Sequence, residues 1–220
     1  MSDLRARLRA VPTLTGTPPE WDPLQAPATP YELFVDWLLT AIDGGVTEPC
    51  AATLSTVRGD GRPSARVLIL KDVTADGWQF ASSATSRKGQ ELATSPYAAL
   101  TFYWISLGRQ VRVTGRVTPA APEESARDFL LRPVAARAEA LVGRQSAVLA
   151  DRADIDAAVK EQQDRIALDP DLVAPNWTLY TLRADEVEFW QADPDRRHVR
   201  LQYRFEDRLE DTWTKELLWP

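Results

Sequence analysis

A chain of 220 residues can bury one sizeable core, and it holds no run of eighteen apolar residues that could cross a membrane. Its net charge of -6 excludes a general nucleic-acid binder, which needs a basic footprint. With Cys50 as the one cysteine and His198 as the one histidine, neither an intrachain disulfide nor a Cys/His zinc cluster can be built, and no metal site is expected.

The N-terminus MSDLRARLRA lacks an apolar signal core, which places the protein in the cytoplasm. Residues 11–30 carry Pro12, Pro18, Pro19, Pro23, Pro27 and Pro30, a density that forbids a helix or central strand. Residues 1–28 are therefore expected to form an extended arm that wraps a surface, and 29–220 a single domain. Thr29-Pro30-Tyr31-Glu32 is a capping box, and Phe34, Trp37, Leu38 and Ala41 recur at helical spacing until Gly44-Gly45. An amphipathic helix follows from that pattern.

From Ala51 to Lys71 the pattern turns to strand: AATLSTV, a polar turn RGDGRP, then SARVLILK, which reads as a hairpin. Arg66 and Lys71 are five residues apart and fall on opposite faces of a straight strand, so one site using both needs a bulge, a bend or a second subunit. A turn at Ala75-Asp76-Gly77 leads to WQFAS, which delivers Ser82 toward Ser86.

Ser86 can cap a short helix whose first turn carries Arg87 and Lys88, bringing free N–H groups, a positive dipole end and two cations to one spot. Taken alone, such a start is an ordinary solvated helix end; with its neighbours it is a ready anion site. Ser95-Pro96 stops the helix, and Tyr97 to Trp104 reads as a buried strand. After Gly108, the alternation in QVRVT sets Gln110, Arg112 and Thr114 on one face and two valines on the other.

Pro122-Glu123-Glu124 opens a helix that runs to Leu131 and is stopped at Arg132-Pro133, and Ala135 to Leu141 continues as a second helical piece. The polar break GRQSA spans 143–147, and Ile155, Val159 and Ile166 mark a longer helix ending near Asp169-Pro170. Strands WTLYTL, EVEFWQ, HVRLQYRF and TWTKELLW complete a β-meander with inserted helices, mainly β with helices in the α+β sense. On a strand beginning near Arg196, the side chains of Arg196, His198 and Arg200 would share one face close to Trp190. An aromatic plane with three potential cations suits a flat, anionic ligand.

Taken in order, RVLILK at 66–71, SRKGQEL at 86–92, FYW and RQVRVTG at 102–115, RQS at 144–146, EFWQ at 188–191 and RRHVR at 196–200 resemble the pyridoxamine/pyridoxine 5'-phosphate oxidases. The resemblance covers about Thr29 to Pro220 and implies an FMN-binding split β-barrel, an antiparallel Greek-key-like barrel with peripheral helices. It implies that Arg66, Val67, Lys71, Ser82, Arg87 and Lys88 surround the FMN, and that Gln110, Gln145, Ser146, Trp190 and Arg200 hold it, several of them across a homodimer interface. Lys71, Arg132, Arg196 and His198 match positions that contact a phosphorylated pyridine, with Arg196 and His198 as the catalytic pair. The implied reaction moves a hydride equivalent from the substrate's C4' carbon to the flavin, and O₂ then gives hydrogen peroxide.

The chain also departs from the family. The phosphate-binding tyrosine and serine fall at Asp128 and Ala136, the Arg-Glu-Tyr motif of the N-terminal arm is missing, and Arg-Leu-His-Asp-Arg reads Arg196-Arg197-His198-Val199-Arg200. The flavin positions are kept while the substrate positions are altered. Besides the phosphorylated pyridine, the alternatives are a paralogue that oxidises another ring, as the phenazine-biosynthesis oxidases do, and a flavin-binding protein without turnover.

Overall fold

The computed structural model describes residues 2–207 and 212–220, with the side chains of Ser2 and Asp207 left aside. Eight strands follow the chain as β1 (Ala51–Val57), β2 (Pro63–Thr74), β3 (Gly77–Ser83), β4 (Tyr97–Trp104), β5 (Arg109–Pro119), β6 (Trp177–Gln191), β7 (Val199–Asp207) and β8 (Thr212–Leu217). The helices are α1 (Ser2–Ala10), α2 (Pro30–Asp43), α3 (Arg87–Thr94), α4 (Pro122–Leu130), α5 (Val134–Val142) and α6 (Ala153–Leu168). The strand order is β3-β2-β1-β4-β5-β6-β7-β8, and β3 also pairs with β6. That extra pairing closes six strands into an antiparallel barrel, the split-barrel fold expected, with β7 and β8 continuing outward from β6.

The chain divides into two compact units whose borders fall inside β1, β4, β5 and β6. The first comprises Met1–Thr53, Leu100–Thr114 and Ala184–Pro220. Its core is aromatic. Trp37 of α2 meets Phe189 edge-on at 5.2 Å, Phe34 meets Phe102 at 4.9 Å, and all four side chains are fully buried. Helix α2 starts where the capping box predicts: Thr29 and Glu32 exchange their reciprocal hydrogen bonds, and Gly44 follows the last turn. Arg109 is buried above the Trp37 ring at 4.1 Å and donates to Gln191, and burial lowers its guanidinium pKa to about 10.

The N-terminal segment differs from a wholly extended arm. Residues 2–10 form α1, whose Asp3 in the first turn and Arg7 and Arg9 in the last match the helix dipole, and Asp22 caps a single 3-10 turn at Pro23–Gln25. Around the 3-10 turn, residues 11–22 and 26–29 carry no regular element and are held within the first unit by hydrogen bonds. Gln191 donates to Pro19 O, Tyr203 to Pro27 O and Lys215 to Ala26 O. Gly16 lies so close to β4's exit that a Cβ would stand 2.1 Å from Ile105 O.

The second unit comprises Leu54–Ala99 and Gly115–Arg183. Phe80 of β3 stacks on its ladder partner Tyr180 of β6 at 5.5 Å, and Phe129 of α4 packs edge-on against Trp177 at 5.8 Å. Strand β2 runs three residues past Lys71, and its register with β3 shifts between Leu70 and Asp72. A bulge thus falls at Lys71, one of the devices the Arg66–Lys71 spacing called for.

Two expectations for the last strands are corrected. WTLYTL and EVEFWQ form one continuous strand, β6, because Arg183-Ala184-Asp185 between them contains no glycine or proline to break the ladder. Strand β7 starts at Val199, not near Arg196. Asp193-Pro194-Asp195-Arg196 closes a turn through an Arg196 N–H to Asp193 O bond of 3.0 Å, and Arg196 is left-handed with φ +63°. Arg196 therefore does not share a strand face with His198 and Arg200.

Candidate functional site

Helix α3 shows how the sequence builds an anion cradle. Ser86 accepts the Gly89 N–H through its side chain, which leaves the first-turn N–H groups of Arg87 and Lys88 without an intrahelical acceptor. Gly89 lets this start press on the preceding turn, since a Cβ there would stand 2.3 Å from Ala84 O. Above the cap, Lys88 Nζ donates to Gln145 Oε1 at 3.3 Å, and Ser82 Oγ reaches the same oxygen at 3.5 Å. Ser146, next to Gln145, holds a left-handed φ of +73°, a strained state for a residue other than glycine.

Eight of the residues singled out from sequence, Arg66, Val67, Ser82, Arg87, Lys88, Arg132, Gln145 and Ser146, line one cavity of about 640 Å³ in the second unit. Its walls carry four cations against one acid, Glu139. Burial lowers the pKa of Lys88, and the neighbouring Arg66 charge lowers it further; burial also lowers that of Arg132. A bound anion would relieve the Arg66 charge that Lys88 feels. Three guanidinium groups, a lysine, three serine hydroxyls and an open helix start form a donor set that fits a phosphate monoester.

Lys71 does not line the cavity wall. Its Nζ lies 3.5 Å from Asp128 Oδ1, and Asp128 Oδ2 accepts the Trp177 Nε1–H at 2.8 Å. Trp177 does line the cavity, and the Arg132 guanidinium lies 3.9 Å above its ring, with Nη1 buried and unpartnered. Trp177 and Glu139 were missed in the sequence. Trp177 opens a strand, where an aromatic residue reads as core, and its partners Asp128 and Arg132 are more than forty residues away in the chain.

Gln110, Trp190, Arg196, His198 and Arg200 belong to the first unit. Trp190 and Arg200 are direct ladder partners between β6 and β7, and the His198 ring lies 4.9 Å from the Trp190 ring. His198 Nδ1 accepts the Asp193 N–H at 3.1 Å, so in that role its proton sits on Nε2. Arg200 grips both oxygens of Glu188 from Nε and Nη2 at 3.0 and 3.1 Å, and its Nη1 donates to Trp219 O. Arg112 also pairs with Glu188. Burial alone would raise the Glu188 pKa, but the hydrogen bonds from Arg200 and Arg112 outweigh it and hold the carboxyl below its usual range. Gln110 is half-buried on β5, where the face alternation is as the sequence predicts.

Comparison with known proteins bears on this site. The pyridoxamine 5'-phosphate oxidase family matches residues 38–165, and the pyridoxine 5'-phosphate oxidase C-terminal dimerisation region matches residues 177–220. The chain is 42% identical over 199 residues to the pyridoxine/pyridoxamine 5'-phosphate oxidase of Burkholderia multivorans, covering 90% of this chain and 92% of that one. It is 41% identical to the enzyme of the same name from Ectopseudomonas mendocina, covering 89% and 91%. Among solved structures, PhzG from Burkholderia lata in complex with tetrahydrophenazine-1-carboxylic acid matches with a TM-score of 0.86 at 33% identity, covering 93% of this chain and all of that one. A pyridoxamine 5'-phosphate oxidase-related, FMN-binding protein from Nostoc punctiforme shares the fold, with a TM-score of 0.69 at 20% identity and coverage of 87% and 98%. The chain belongs to the pyridoxamine 5'-phosphate oxidase family of oxidoreductases.

Proposed function

We propose that this chain is an FMN-dependent oxidase that acts on the C4' carbon of pyridoxamine or pyridoxine 5'-phosphate, giving pyridoxal 5'-phosphate while O₂ is reduced to H₂O₂. It works as a cytoplasmic homodimer with FMN at the interface. The observation that carries the reading is the cavity at the start of α3, where Arg66, Arg87 and Lys88 converge and Lys88 is already depressed by burial and by Arg66. FMN bound there would supply the two-electron acceptor, chemistry that no side chain of this protein offers. The protein's part is to hold and orient. Arg66, Arg87 and Lys88 take the phosphate, Ser82, Gln145 and Ser146 with Val67 line its surroundings, and Gln110, Trp190 and Arg200 are assigned to the flavin across the homodimer interface. Arg196 and His198 face the substrate, His198 offering its Nε2–H as a donor, while Lys71 and Arg132 serve the substrate phosphate.

One feature favours a second reading. Asp128 answers the Lys71 charge, and Arg132 has Glu139 and Asp128 acting on its own charge, a balance that suits a ring bearing a single carboxylate better than a dianion. The likeness to the Burkholderia lata protein, whose structure holds such a ring acid, points the same way. The experiment is to purify the full chain, identify the flavin by absorbance and mass, and measure peroxide with pyridoxamine 5'-phosphate, pyridoxine 5'-phosphate and a partly reduced aromatic carboxylic acid. Peroxide equal to pyridoxal 5'-phosphate formed supports the first reading, and peroxide with the ring acid alone supports the second. An FMN-loaded protein silent with all three would be a flavin binder without turnover.

A further inference from the structure

Glu91 is a carboxylate on the helix whose first turn is to receive an anion, where by charge alone it should oppose the ligand. It is 5% exposed and absent from the cavity wall. Its Oε2 takes hydrogen bonds from Thr56 Oγ1 and, at 3.0 Å, from Arg66 Nη2. Arg66 is gripped from behind on both forks: Nη1 donates to Leu54 O and Thr56 Oγ1, and Nη2 to Ser64 Oγ and Glu91 Oε2. Four of the five guanidinium N–H groups are thereby committed to the protein, and only the Nε–H and the charge are left for a ligand. An arginine meant to swing onto a phosphate would not be tied down in this way.

Resting on the FMN reading above, we infer that Glu91 is a positioning residue, which with Thr56 locks the Arg66 guanidinium into the cavity wall where the FMN phosphate is to bind. The carboxylate does a second thing. Arg66, Arg87 and Lys88 line one cavity, and a buried counter-charge behind Arg66 limits their mutual repulsion before the flavin arrives. An equally buried glutamate with a purely structural role would tie α3 to the β1–β2 hairpin and support both halves of a flavin alike. A positioning role acts only on the phosphate.

The full chain, stripped of flavin, is titrated with FMN and with riboflavin by flavin fluorescence quenching. Glu91→Ala is expected to weaken FMN by about tenfold, the worth of one charge-assisted hydrogen bond, and to leave riboflavin within about twofold. Glu91→Gln, which keeps an acceptor for Arg66, recovers part of that loss and serves as the main variant if the alanine protein does not fold. In an Arg66→Ala background, Glu91→Ala should add almost nothing, because both act through one guanidinium. Equal losses for FMN and riboflavin, an additive double variant, or no loss at all would each overturn the inference. A wild-type protein that binds riboflavin as well as FMN would overturn the cofactor reading itself, and this inference with it.

Discussion

The ammonium of Lys71 lies 3.5 Å from Asp128 Oδ1, and Asp128 is held in place from its other oxygen by the Trp177 indole. A solvated aspartate on a helix face would be free to turn away; this one is 14% exposed and locked. Lys71 is therefore matched before any substrate arrives. If Lys71 serves the substrate phosphate, Asp128→Asn should keep the indole bond, release the cation and lower KM for pyridoxamine 5'-phosphate by about tenfold, near 1.4 kcal/mol. Asp128→Tyr with Ala136→Ser should raise kcat/KM for that substrate at least as much. Unphosphorylated pyridoxamine should respond to neither, and steady-state kinetics on both substrates will show whether the effect follows the phosphate.

The cradle at α3 makes a claim about cofactor choice. Arg87 and Lys88 each line the cavity beside N–H groups that the helix cannot use. Charge-assisted hydrogen bonds of this kind contribute about 1.5 to 3 kcal/mol each. The Arg87→Ala, Lys88→Ala double variant should lose two orders of magnitude or more in FMN affinity while its riboflavin affinity stays put. Calorimetric titration with the two flavins decides it.

Gly89 tests whether the position of that helix start matters as much as its charges. A methyl at residue 89 would meet backbone atoms of Ala84, with O at 2.3 Å and C at 2.6 Å, so relief requires moving the main chain rather than turning a side chain. Gly89→Ala should shift α3 off the Ser83–Ser86 turn. We expect a loss of FMN affinity of about tenfold or more with a drop in thermal stability of a few degrees, about 1 kcal/mol or more at this chain length. Normal FMN affinity in a variant of normal melting temperature would show that the helix start tolerates displacement.

Local chemistry carried most of the fold. The capping box at Thr29, the aromatic run from Tyr97 to Trp104 and the serine cap at Ser86 each specify an element through neighbours a few residues away, and each element begins where its pattern does. The misreadings have two causes, a local turn and distant partners. Arg196 adopts a left-handed turn because Asp193 O captures its N–H, and a non-glycine residue gives little warning of positive φ. The roles of Glu91 and Trp177 come from partners 25 and 49 residues away, Arg66 and Asp128, and no local period encodes such a meeting. Six of the eight cavity residues were legible because the family's spaced motifs carry them, and Ser82 and Arg132 through the wider resemblance; Trp177 and Glu139, between those motifs, and the role of Glu91 were not.

Glu188 offers a test through stability rather than binding. It is 4% exposed and receives the Arg200 fork together with Arg112, and these bonds hold its pKa below the usual value against the opposing effect of burial. Because the folded-state pKa is the lower one, the unfolded chain binds more protons in acid. The stabilisation is therefore fully present above the unfolded-state value, about 4.3, and is lost as pH falls through the folded-state pKa. Glu91, which is depressed in the same direction by Thr56 and Arg66 despite its burial, also loses its stabilisation as pH falls and keeps part of the slope in any single variant. Glu188→Gln should cost about 2 to 4 kcal/mol at pH 7, since Arg200 and Arg112 lose their anion and one of its two acceptor oxygens, leaving Arg200 the amide oxygen and Trp219 O. Its unfolding free energy should also fall less steeply than wild type as pH drops below about 4.3. Urea denaturation at a series of pH values gives both numbers; parallel curves for the two proteins would mean that Glu188 is not the group whose protonation weakens this fold.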